Sequence, residues 1–186
     1  MKSSILCIIL YFFITYTPAQ EYLNYKYWHK DSVLKWEDFK SIGFHNDEHA
    51  ASSNCNISYY FDIKTDTIFF EVYAYFDQEK SWKKKHESSS YLLEHEQGHF
   101  DIAELYARKL RKELYTFSIP VRHITDTVKS MYKKTILEYK MAQEEYDSIT
   151  KSGTNNEAQI TYLKFLHNSM QELKAYKNTS YKRNMN

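Results

Sequence analysis

The chain has 186 residues, with 25 Lys and Arg against 24 Asp and Glu, and only three glycines and two prolines. This near-neutral balance gives no global reason to bind nucleic acid or an anionic membrane surface. Gly43, Gly98 and Gly153 lie too far apart for a G-x-G-x-x-G turn or a P-loop, while an aromatic content of 17% with eighteen tyrosines argues for a folded domain rather than a disordered chain.

The amino terminus reads Met-Lys-Ser-Ser followed by an apolar run over residues 5–16 and a small-residue end at Thr17-Pro18-Ala19. A basic start, about a dozen apolar residues and a small-residue boundary predict a signal peptide over residues 1–19; a membrane span needs roughly 20 apolar residues. The mature chain, 20–186, is then secreted or held in the periplasm or cell envelope, with no transmembrane segment after cleavage. Cys55 is its only cysteine, so no internal disulfide is possible, and burial as a small apolar residue is expected.

Residues 20–50 are mixed polar and aromatic, with Trp28, Trp36 and Phe39 as candidate anchors. Segments 55–63 and 67–76 are rich in β-branched and aromatic residues, and Lys64-Thr65-Asp66 between them predicts a β-hairpin. Both strands are aromatic on two faces, so one face is expected to meet helices and the other the N-terminal segment. From Ser88 the period turns helical. Leu92, Glu96, His99, Ala103, Tyr106 and Leu110 share one face of a helix reaching about Tyr115. Phe117-Ser118-Ile119-Pro120 breaks it. A second helix from about Asp126 carries the stripe Val128, Met131, Thr135, Tyr139, Ala142, Tyr146 and Ile149, with Gly153 just past its end. A third takes 156–177, with Ile160, Leu163, Leu166, Met170 and Leu173 inward. Residues 178–186 read as a frayed tail. The pattern is one α+β domain, a small antiparallel hairpin sheet packed against three helices.

Residues 95–99 read His-Glu-Gln-Gly-His. This H-E-x-x-H lies inside the first helix, where a spacing of four puts both imidazoles on one face, able to hold one metal ion. Zinc favours imidazole nitrogen, needs a third protein ligand, and keeps a position for a water whose pKa it lowers. Glu96 is placed to take that water's proton and hand it to a leaving amine. The assignment is His95 and His99 as Zn2+ ligands and Glu96 as general base, then acid. Gly98 between the ligands costs helix stability, which implies a close neighbour there, with the hairpin strand as the candidate.

Asp101 points away from this face, and Glu104 lies about 140° around the helix from His99. No glycine turn follows His99 to return a third histidine. The third ligand is therefore expected from the second helix, which packs antiparallel to the first across a short break. Reflection through that break puts Glu138, Glu144, Glu145 and Asp147 near His95. Asp147 is preferred because Gln143-Glu144-Glu145 has a solvated character. Tyr146 offers a hydroxyl as transition-state donor, although its place on the apolar stripe favours core packing.

Together these motifs resemble the bacterial domain-of-unknown-function family described as predicted secreted zinc-dependent proteases. Leu34-Lys35-Trp36-Glu37-Asp38-Phe39 is similar to its L-x-W-x-D-F opening. Ala50-Ala51 before the hairpin, Phe76 with Ser81-Trp82, and His95 to Glu104 match further blocks, and Tyr146 to Gly153 is similar to its Y-D-x-x-T-x-H-G. The resemblance implies a zincin-like fold and hydrolysis of a peptide or protein substrate, and it marks 146–153 as the other half of the site. Ser152 stands where the pattern has histidine, which sets a second expectation beside the first: a catalytically impaired, zinc-binding envelope protein that binds a partner. A third is metal-dependent hydrolysis of a non-peptide amide such as a cell-wall crosslink. An extended substrate is expected to add to an edge of the hairpin sheet.

Overall fold

The computed structural model describes residues 24–47, 49–118 and 123–184; the signal-peptide assignment to residues 1–19 and the break at Pro120 lie outside them. The centre is the hairpin of β4 (Cys55–Lys64) and β5 (Thr67–Asp77), antiparallel in register from Cys55↔Phe76 to Lys64↔Thr67. Its two-residue loop is closed by Thr65 in the left-handed region (φ 54°), as tight hairpin loops require at one central residue.

Along β5 the side chains alternate as a half-buried strand demands. Ile68, Phe70, Val72, Ala74 and Phe76 are all 3% exposed or less and face the helices. The other face is not roofed by the N-terminal segment, as the aromatic pattern suggested. Instead β1 (Tyr25–Tyr27) joins the sheet itself, antiparallel to the far half of β5, and Tyr25 and Tyr27 meet Tyr75 and Tyr73 at ring distances of 4.6 and 5.1 Å. The tail read as frayed also folds back: β7 (Ser180–Asn184) pairs with the near half of β5. Nothing in its polar sequence signals this, because the pairing is backbone to backbone.

The first helix lies across the inner face, and the other two helices pack against it and each other. Helix α1 (Ser90–Thr116) starts at Ser89, whose Oγ accepts from the Leu92 N–H at 3.1 Å, the usual N-cap arrangement. Its apolar side, including Phe100, Ile102, Ala103, Leu110 and Leu114, is fully buried. Helix α2 (Ile124–Thr150) runs antiparallel to it: His99 meets Gln143, His95 meets Asp147, and far along the pair Glu113 meets Lys134. Its inner stripe ends on Thr150, which is fully buried, while Ile149 is 43% exposed; the stripe keeps its step of four from Tyr146, and Ile149 falls about 100° off it. Helix α3 (Asn156–Glu172) is shorter than expected and closes with a 3₁₀ turn at Lys174–Tyr176. It buries Gln159 and Leu166 and leaves Ile160 44% exposed.

A buried ionic cluster ties the C-terminal segment to this core. Glu104, 1% exposed, accepts from Arg108 Nε and Arg111 at 2.8 Å each. Arg111 also donates to the carbonyls of Val72 and Tyr176, and Arg108 to that of Met170. Glu104 thus serves the fold on the helix face away from the imidazoles. Among the described residues no helix is long and apolar enough to cross a membrane.

Candidate metal centre

The H-E-x-x-H motif distributes its side chains in three directions. His95 and His99 point at α2. Gln97 and Asp101 point the opposite way and hold the N-terminal segment: Gln97 Oε1 accepts from the Leu34 N–H at 2.8 Å, and Asp101 Oδ1 accepts from Trp28 Nε1 at 2.8 Å and Gln97 Nε2 at 2.9 Å. Glu96 lies between, 2% exposed, and its Oε2 is buried with no hydrogen-bond partner among the described residues.

His95 Nε2 and His99 Nε2 each lie 3.1 Å from Asp147 Oδ1, and 3.2 Å from one another. Among the described residues these three form the one group of His, Cys, Asp and Glu side chains whose donor atoms converge as a metal site requires. Bonds of about 2.0–2.2 Å in tetrahedral geometry set ligand atoms about 3.3–3.6 Å apart, so the triangle is slightly smaller than, and close to, the size a zinc ion needs. Its chemistry, two imidazole nitrogens and one carboxylate oxygen, is a zinc donor set. Of the four acids considered on α2, Glu138, Glu144 and Glu145 are exposed and stay outside the triangle; Asp147 enters it.

Electrostatics in the triangle are coupled. Burial pushes the Asp147 carboxyl up, but hydrogen bonds from both imidazoles outweigh it and hold it well below the ordinary carboxylate range. Burial alone would lower the pKa of His99, yet the bond to Asp147 and the nearby charge of Glu96 leave it raised.

Behind the two imidazoles sit partners that the motif does not signal. His99 Nδ1 is 2.5 Å from Gln143 Oε1, and Gln143 Nε2 donates to the His99 carbonyl at 3.0 Å. Thr150 Oγ1 lies 3.5 Å from His95 Nδ1 and donates to the Tyr146 carbonyl at 2.6 Å. Their only sequence signal is spacing: Gln143, Asp147 and Thr150 fall at i, i+4 and i+7 on one face of α2. Tyr146 is fully buried, stacked on His95 with ring centres 4.7 Å apart, and its hydroxyl donates to the His95 carbonyl at 3.3 Å. Core packing, the role its place on the stripe favours, is what this ring does, with its hydroxyl turned to the helix backbone beneath His95. The neighbour that requires Gly98 is this ring and not the hairpin strand: a Cβ at Gly98 would come within 2.6 Å of Tyr146 Cζ.

The helix end after Asp147 is wound left-handed through Lys151 (φ 50°), Ser152 (φ 50°) and Gly153 (φ 79°). The turn brings Gly153 against the imidazole of His95, where a Cβ would lie 2.9 Å from Cγ. Such conformations cost non-glycine residues energy and cluster at functional sites.

The triangle and Glu96 line a cleft of about 720 Å³, walled by residues 49–53, the start of α1, and α2 with its left-handed exit including Ser152. The sheet along this wall is not the hairpin. It is a separate three-stranded sheet in which β6 (Trp82–Lys83) lies between β2 (Ser41–Ile42) and the edge strand β3 (Ala51–Ser52). The Ala50 carbonyl accepts from the Lys84 N–H, so the alternation of an antiparallel pair turns the N–H and C=O of Ala51 away from β6, at a residue that lines the cleft. The hairpin edge expected to receive a substrate is closed at this end, because Tyr139 and Tyr132 of α2 donate their hydroxyls to the Cys55 and Ile57 carbonyls at 2.6 and 2.9 Å. Cys55 is buried and unpaired by any disulfide, and burial raises its thiol pKa well above the usual value.

No curated protein and no solved structure matches the chain. Residues 72–153, from within β5 through α1, the Asp147-bearing helix α2 and the left-handed turn, match the family described as bacterial protein of unknown function (DUF922).

Proposed function

We propose that the chain is a secreted zinc-dependent metallopeptidase. One observation carries this reading: three metal-ligand atoms converge within 3.2 Å of one another beside a buried carboxylate oxygen with no partner among the described residues, in a cleft bordered by an edge strand. A burial of this kind is costly for polar groups unless something binds them. When bound, zinc supplies Lewis acidity, lowering the pKa of water and polarising a carbonyl. The chain's own residues do the rest. An extended peptide adds to β3 through the outward backbone of Ala51. Glu96 accepts a proton from the attacking water and returns it to the leaving nitrogen. Asp147 balances the charge of the cation, and the cleft limits access of bulk water.

Zinc analysis and a peptide-library cleavage assay with a chelator control test the reading. Glu96→Gln keeps stoichiometric zinc and loses hydrolysis; hydrolysis retained in that variant overturns the mechanism. His95→Ala loses zinc; unchanged metal content overturns the ligand assignment.

Ser152 favours a second reading. It lines the cleft at the position where the resembling pattern carries histidine, so an impaired enzyme that binds zinc and a partner is the alternative. Zinc bound by the wild-type chain with no cleavage of any library peptide selects it.

A further inference from the structure

We infer that Gln143 and Thr150 are positioning residues that fix the tautomers of His99 and His95, so that both Nε2 lone pairs are presented to one cation. The inference rests on the zinc reading above and concerns residues outside the ligand set.

The amide of Gln143 has one oriented solution. Only its NH2 can donate, and Nε2 donates to the His99 carbonyl at 3.0 Å. Oε1 is thereby left facing His99 Nδ1 at 2.5 Å. Two acceptors do not sit at that distance, so Nδ1 carries the hydrogen, and in the neutral ring Nε2 is then the bare nitrogen. The same logic runs on the other imidazole. Thr150 spends its one hydrogen on the Tyr146 carbonyl at 2.6 Å, and its oxygen is left to accept from His95 Nδ1 at 3.5 Å. The hydroxyl oxygen is held in place from a second side, since the Gly153 N–H also reaches it at 3.4 Å.

Both outer nitrogens are therefore occupied by acceptors, and both inner nitrogens converge with the Asp147 carboxylate. With neither inner nitrogen carrying a hydrogen, these three atoms, 3.1–3.2 Å apart, are all electron-rich and need a positive charge among them. Outer partners that orient ligating histidines in this way are worth about 10–100-fold in metal affinity. One face of α2 thus supplies a ligand and the two groups that prepare the other ligands.

The test is competitive zinc titration of the full mature chain against a chromophoric chelator, with NMR of imidazole N–H resonances in the zinc-loaded protein. Gln143→Leu, a strong helix former without an acceptor, should bind zinc about 10–100-fold more weakly and lose the protected Nδ1–H resonance of His99. Gln143→Glu keeps the acceptor but sets a carboxylate oxygen against the His99 carbonyl, so it should keep the Nδ1–H resonance and bind zinc more tightly than Gln143→Leu. Thr150→Val should weaken binding, and Thr150→Ser should restore it. Thermal unfolding of each metal-free variant separates loss of fold from loss of preparation. The inference is overturned if Gln143→Leu binds as tightly as wild type, or if Gln143→Glu is weakened as much as Gln143→Leu. A wild-type chain that binds no zinc overturns the zinc reading, and this inference with it; wild-type binding that is indifferent to Gln143 overturns this inference alone.

Discussion

The ring of Tyr146 fills the space that a side chain at Gly98 would occupy, with Cζ 2.6 Å from the position of a Cβ. Tyr146 cannot easily yield, because it is fully buried, stacked on His95 and edge-on to His99 at 5.0 Å. Gly98 therefore sets how closely α1 and α2 approach at the level of His95, His99 and Asp147. Gly98→Ala should gain about 0.5–1 kcal/mol of helix propensity and lose about 1–3 kcal/mol to overpacking. The expected net is destabilisation by about 1–2 kcal/mol with weaker zinc binding. Urea unfolding and zinc titration read both; a variant that is stabilised with unchanged affinity would contradict the packing argument.

The meeting of His95 and His99 with an acid of α2 is legible in the sequence because helical spacing and the reflection of an antiparallel pair are local geometry. The step of four pairs His95 with His99, while the short break leaves Glu138, Glu144, Glu145 and Asp147 as candidates; the solvated character of Gln143-Glu144-Glu145 is what favours Asp147, the acid that lies 3.1 Å from both imidazoles. Tyr146 was harder, since a tyrosine on an apolar stripe satisfies both core packing and a catalytic role, and only the close approach at Gly98 decides between them. The β7 strand and the closed hairpin edge were not legible at all. Both depend on backbone groups finding partners more than 70 residues away, strand to strand for β7 and hydroxyl to carbonyl where Tyr139 meets Cys55, and the local side-chain pattern does not encode such meetings. Gln143 and Thr150 were passed over because one amide and one hydroxyl on a helix are ordinary until their partners are known.

Glu104 supports the fold and not the chemistry. It is 1% exposed between two guanidinium groups, one of them on Arg111, which is itself 1% exposed. Removing one partner of a buried ionic group leaves uncompensated charge and costs about 3–5 kcal/mol. Glu104→Gln should lower unfolding free energy by about that amount and loosen the C-terminal segment held through the carbonyls of Met170 and Tyr176. Denaturant unfolding measures the first and amide exchange over 170–184 the second. A loss below about 1 kcal/mol would place Glu104 among exposed ion pairs instead.

Ser152 sits at φ 50° directly after Lys151 at φ 50°. A non-glycine residue in the left-handed region costs about 1–2 kcal/mol, against about 0.4–1 kcal/mol of extra unfolded-chain entropy for glycine. Ser152→Gly should therefore stabilise the protein by about 0.5–1 kcal/mol, a reversal of the usual effect of glycine substitution. Thermal unfolding with and without zinc decides it. A destabilised Ser152→Gly would mean that the serine side chain makes a contribution larger than the strain it carries.

Metal and protons should act on the triangle in opposite directions of pH. Without metal, His99 has a raised pKa and Asp147 a lowered one, in each case after burial is overcome by their mutual hydrogen bond. A raised histidine stabilises the fold below its unfolded value of about 6.5 and loses that contribution as pH rises through the folded value. A lowered carboxylate stabilises above about 3.9 and loses its contribution as pH falls through the folded value. The metal-free chain should therefore be favoured by this pair between about pH 4 and about pH 6.5 and weaken towards about pH 8.5. Zinc needs deprotonated ligands, so its stabilisation should grow over the same rise, reaching about 2.7 kcal/mol at a free concentration 100 times Kd. Unfolding midpoints at about pH 5.5 and about pH 8.5, with chelator and with zinc, give the comparison. His95→Ala should abolish the zinc increment at both. A zinc increment that shrinks as pH rises would show that the cation is not held by these imidazoles.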